Sequence, residues 1–95
     1  MNIQARVNQL LIDAGCVPNV TVKVSNFGKT AGDIDETGKV MRINSQVIEN
    51  YPQHLENLVI HETAHVVDIQ RNGWRKDSRG RYIHHDKVFF DICIE

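Results

Sequence analysis

Hydrophobic residues recur along this chain in two rhythms, and the changes of rhythm divide it into elements. Ile3, Val7, Leu10, Leu11 and Ala14 fall at helical spacing, so residues 2–14 read as an amphipathic helix, with Gly15 placed to end it. Val20, Val22 and Val24 then alternate with Thr21, Lys23 and Ser25, the period of a strand. Residues 31–35 and 40–44 flank Glu36-Thr37-Gly38-Lys39, a glycine-containing connection of hairpin length. A short helical turn over Ser45–Asn50 leads to Pro52.

The strongest helical pattern runs from about His54 to Arg71, with Leu55, Leu58, Val59, Val66 and Ile69 in period. Pro52 lies near its start and Gly73 just beyond its end, the usual asymmetry of a helix. Residues 72–84 hold two glycines and many charges and read as a loop. From His85 to Ile94 a last helix is expected, with Val88, Phe89, Ile92 and Cys93 facing inward. No repeat, low-complexity tract or long linker interrupts the chain, so residues 1–95 read as a single domain of the α+β class.

Ninety-five residues bury a limited core, and a domain this small gains from a disulfide, a metal or a partner. Cys16 and Cys93 form no CxxC and no framework, and read as buried thiols of a reducing compartment. The N-terminal MNIQARVNQLL lacks a continuous apolar run, and no apolar run is long enough to span a bilayer. A soluble, cytoplasmic protein without a membrane partner is therefore expected. The formal net charge is −1 but uneven. Residues 71–87 carry six basic side chains (Arg71, Arg75, Lys76, Arg79, Arg81 and Lys87) against Asp77 and Asp86, a local +4. Such a stretch is either a solvated loop or a surface for DNA phosphates or an acidic partner.

His61-Glu62-Thr63-Ala64-His65 changes the picture most. On a helix, residues four apart share a face one turn apart, so two imidazoles at this spacing can hold one tetrahedral cation. Glu62 points beside that cation, where it can take a proton from a water. With five His and five Glu in 95 residues, a shuffled chain would carry HExxH about 0.013 times, and here it falls in the strongest predicted helix. Catalytic zinc commonly takes three protein ligands and leaves one position open. Position 68 is Asp and position 71 is Arg, so no third ligand follows on the same helix in the glycine–histidine spacing of the metzincins. The only later glutamate is the terminal Glu95, which leaves His84 and His85 as candidates. Asp68 either orients a ligating histidine or is an exposed helix carboxylate, the second being favoured. His54 reads as polar surface, and Trp74 and Tyr82 as core or cleft-lining aromatics, Tyr82 with a hydroxyl that can reach a developing oxyanion.

Gly28-Lys-Thr-Ala-Gly32, Arg42-Ile43-Asn44, His61–His65, and His84-His85-Asp86 with Phe89 occur in that order. Together they resemble the SprT-like (Spartan-type) metallopeptidases over roughly residues 28–93. The resemblance implies a zincin-like fold: a small antiparallel or mixed sheet packed on the HExxH helix, with flanking N- and C-terminal helices. It implies His61, His65 and His85 as ligands to one Zn2+ per chain and Glu62 as catalytic base, His85 being preferred to His84 because Asp86 follows it directly. Members of the family act on proteins, some of them on proteins bound to DNA. The paired cysteines of the zinc ribbon found in bacterial members do not occur in this sequence.

These readings converge on zinc-dependent hydrolysis of a protein or peptide substrate, with DNA contact through Arg71, Arg75, Lys76, Arg79 and Arg81 as an added expectation. The alternative is a zinc-stabilised, catalytically weak module that contacts nucleic acid or a protein through the 71–87 loop. Glu62, which such a module does not need, separates the two.

Overall fold

Polar side chains and glycines punctuate the helices of the computed structural model, which describes residues 2–35 and 37–73 together with Lys76, Ser78, Arg79 and Ile92. Helix α1 (Ile3–Asp13) begins where the Asn2 side chain accepts the Ala5 N–H, and the chain leaves it through Gly15 at φ 74°. Helix α2 (Ser45–Asn50) begins where the Asn44 side chain accepts the Gln46 N–H. A 3-10 turn over Pro52–His54 feeds α3 (Leu55–Asn72), which Gly73 closes by donating its N–H to the Ile69 carbonyl.

Between α1 and α2 lie three strands, β1 (Thr21–Ser25), β2 (Gly32–Ile34) and β3 (Val40–Asn44). They form a mixed sheet in the order β1-β3-β2. The expected hairpin is present: β2 pairs antiparallel with β3, Gly32 opposite Ile43 and Ile34 opposite Met41. β1 joins β3 in parallel, with Thr21 opposite Val40 and Ser25 opposite Asn44. The three valines near β1 do not share one environment. Val20 is buried and Val22 half-buried, but Val24 is 48% exposed. Helix α1 meets β1 at Val20 and Val22, where Gln4 is bonded, and Val24 lies beyond that contact.

One apolar cluster joins the layers: Ile3, Val7 and Leu11 from α1, Met41 and Ile43 from the central strand, and Val59 and Val66 from α3. Ile92, from the expected C-terminal helix, is buried in the same cluster; the rest of that helix lies outside the described residues. The hairpin lies along α3 for two turns. A Cβ on Gly32 would come within 3.5 Å of the Glu62 Cγ, and one on Gly38 within 3.0 Å of the Ile69 Cγ2. Gly38 also sits at φ 71°, where a side chain is strained. Among the described residues no helix is long and apolar enough to cross a membrane.

Candidate metal centre

Helix α3 carries the whole His61–His65 motif. Its buried Val59 and Val66 lie in the core, and His61 and His65 lie one turn apart, His61 half-buried and His65 buried. Their Nε2 atoms are 3.3 Å apart, with rings edge to face at 81° and centroids 4.9 Å apart. Two imidazoles bound to one tetrahedral zinc at about 2.05 Å each would have nitrogens about 3.3 Å apart. The pair is therefore spaced for a shared zinc, and half-buried His61 leaves the pair reachable from solvent.

Glu62 lies under the hairpin. It is 6% exposed and faces the bare backbone of Gly32. Burial pushes its carboxyl up to about 7, and the negative charge of Asp33 adds to the rise. Asp33 itself accepts from two guanidinium nitrogens of Arg42, Nη2 and Nε, the latter at 2.7 Å, while Arg42 lies over the Phe27 ring at 4.2 Å. A carboxylate whose proton affinity sits near neutrality is suited to accept and return a proton. Gly32 and Asp33 were not legible as contributors. The Ala31-Gly32 pair gave the one available signal, since a glycine inside a strand marks a close approach of backbone.

Asp68 is a correction. It is fully buried rather than exposed, and its carboxylate accepts the Asn72 amide at 2.8 Å. From Glu62 to Ile69 every residue of α3 is buried, so this part of the helix is covered on more than one face, and period alone did not distinguish an outer side. Asn44 is also buried. Its amide donates to the carbonyls of Phe27 and Thr30 at 2.9 and 3.0 Å, which ties the lead-in to β2 onto the end of β3. His54 is exposed, as expected.

Arg71, Lys76 and Arg79 are exposed, and Arg71 donates to the Ala14 carbonyl at 3.2 Å. Cys16 is a free, half-buried thiol. His84 and His85, the two candidates for third ligand, lie outside the described residues, as do Trp74, Arg75, Arg81, Tyr82, Lys87 and Cys93. Among the described residues no three potential ligands cluster. Beside His61 an open cavity of about 380 Å³ is lined by Ala31, Val47, Tyr51, His54, Asn57 and Leu58.

No protein-family model and no curated protein matches this chain. Among solved structures it is similar to the metallopeptidase zymogen jannalysin of Methanocaldococcus jannaschii, with a TM-score of 0.67. The match covers 97% of this chain and 78% of that one at 19% identity. At that identity the likeness is one of fold, and the fold is metallopeptidase-like.

Proposed function

We propose that this chain hydrolyses peptide bonds with a zinc ion held by His61, His65 and His85, and with Glu62 as the general base. The observation that supports this reading is the 3.3 Å separation of the two Nε2 atoms, which matches the spacing of two imidazoles on one tetrahedral zinc, in a chain folded like a metallopeptidase. Zinc in such a site supplies Lewis acidity, lowering the pKa of water from about 15.7 toward about 7 and polarising a carbonyl. Glu62 takes the proton of the attacking water on its carboxylate and returns it to the leaving amine. Its burial beneath Gly32 keeps bulk water from competing for that proton. β2, an outer strand of the described sheet, offers main-chain groups to an extended substrate. The exposed Arg71, Lys76 and Arg79 belong to the stretch we propose as a contact for DNA phosphates; binding through it would weaken steeply with salt.

Elemental analysis and peptide cleavage, done together on wild type and variants, test this reading. One zinc per chain is expected in wild type, lost in His85→Ala and kept in His84→Ala. In Glu62→Gln, zinc should stay while cleavage falls by at least about a hundredfold, the size of a general-base contribution. A zinc-replete wild type that cleaves no peptide would favour the zinc-stabilised binding module. Full cleavage by Glu62→Gln would overturn the assignment of the base.

A further inference from the structure

The outer edge of β1 is closed at one end and open at the other. The Thr21 N–H donates to the Lys39 carbonyl, so Thr21 turns its main-chain groups toward β3. Alternate residues of a strand bond to the same side, so Lys23 and Ser25 do likewise, and Val20, Val22 and Val24 turn theirs outward. Gln4 takes the Val20 carbonyl and the Val22 N–H. Among the described residues nothing takes the Val22 carbonyl or either main-chain group of Val24. The Val24 side chain is 48% exposed at the same place, where α1 no longer covers the strand. Main-chain groups and an apolar side chain left open together make a template for another strand.

The open stretch matches itself. When a second β1 runs antiparallel to it, centred on Val24, the two Val24 residues face each other and exchange two N–H···O bonds. The Val22 carbonyl of each copy then meets the N–H of Asn26 of the other, the next outward group along the chain. Lys23, the only charged residue of β1, falls opposite Ser25 of the other copy, so no like charges are opposed. The two α1 helices stand at opposite ends of the pair, each over its own Val20 and Val22, and the two Val24 side chains cover each other in the gap between them. A folded strand is already ordered, whereas a free peptide would lose its freedom for the same few bonds. The described sheets join edge to edge with β2 outermost on both sides, so both HExxH helices keep their own outer strand open.

We propose that β1 is a self-association edge, through which two copies of this chain pair antiparallel about Val24. The pairing does not depend on the peptidase reading. It involves one short strand from each copy, well below the about 1,200 Å² of a stable interface, so the dimer forms only at high protein concentration.

Sedimentation equilibrium up to millimolar protein, on wild type and four variants, tests this. Ser25→Glu sets a carboxylate opposite Lys23 twice per dimer and should tighten association at least about twofold, a gain that high salt removes. Ser25→Lys opposes two cations at the same places and should weaken it at least about twofold. Thr21→Glu puts the same charge on the same face of the strand but away from Lys23 of the other copy, and should leave the constant unchanged. Val24→Pro removes an outward N–H that the pairing with β3 does not use, and should abolish the dimer. A wild type that stays monomeric at millimolar concentration would overturn the proposal. So would a dimer that responds alike to Ser25→Glu and Thr21→Glu, or one that Ser25→Lys leaves as tight as wild type. Because Ser25 and Thr21 are both exposed, these outcomes decide the matter even if Val24→Pro fails to fold.

Discussion

β1 and β2 are the two outer strands of one described sheet, and they are finished in different ways. On β1 a side chain takes the place of a strand. The Gln4 amide of α1 donates to the Val20 carbonyl at 2.8 Å and accepts the Val22 N–H at 2.9 Å. β2 meets a helix instead: Gly32 lies bare over Glu62, and a Cβ there would come within 2.9 Å of the Arg42 carbonyl. The first arrangement satisfies backbone groups and stops that part of the edge from pairing further. The second brings a backbone close to a buried carboxylate, which burial and a neighbouring charge make reluctant to ionise. The lesson is that the first edge, where α1 meets it, contributes only stability, while the other accepts an electrostatic cost beside the HExxH residues.

The largest effect expected from breaking this contrast is at Glu62. Its folded pKa of about 7 lies above the ordinary 4.5, so in metal-free protein the folded state holds the proton more tightly than the unfolded chain. Stability then falls as pH rises through the window from 4.5 to about 7, and the full penalty applies above it. Glu62→Gln removes the ionisation. Metal-free Glu62→Gln should therefore be more stable than wild type at pH 8, by up to about 3 kcal/mol, and equal to it near pH 4. Urea denaturation at the two pH values measures this. A variant no more stable than wild type at pH 8 would show that Glu62 ionises without penalty.

Gly32→Ala comes next. The added methyl meets main chain at Arg42, so β2 has to shift, and an overpacked site of this kind loses about 1–3 kcal/mol. Cleavage should fall with it, because the same shift moves β2 off Glu62. Thermal denaturation and peptide turnover at saturating zinc give the two numbers. The smallest effect belongs to the other edge. Gln4→Leu removes two part-buried side-chain bonds to the backbone, at a cost of about 1 kcal/mol each. Turnover should stay within about twofold of wild type, since a surface change away from the site leaves the transition state untouched. Equal losses of turnover in Gly32→Ala and Gln4→Leu would erase the difference between the edges.

Much of the fold was legible because its elements are regular. Period and punctuation placed α1, the hairpin, α2 and α3 to within a residue or two, since Gly15, Gly38, Pro52 and Gly73 stand where helices and turns change. The HExxH spacing was legible because the partners lie within one helix, where sequence distance sets spatial distance. The burial of Asp68 was not, because helical period does not say how many faces of α3 are covered, and every residue from Glu62 to Ile69 is buried. The third ligand is a different case: His84 and His85 are separated from α3 by a loop, and both lie outside the described residues.

The sequence by itself determined which residues repeat at helical or strand period, where the chain must turn, and that two imidazoles and a carboxylate sit on one helix. These follow from local geometry, which neighbours along the chain settle among themselves. Only the tertiary structure decided that β1 lies parallel to β3, that Gly32 covers Glu62 and that burial, with Asp33 nearby, raises its pKa, that Asp68 is buried, and that Ala31, Val47, Tyr51, His54, Asn57 and Leu58 line an open cavity beside His61. Burial, electrostatic coupling and cavities arise where separate elements meet, and packing of the whole core decides where that happens.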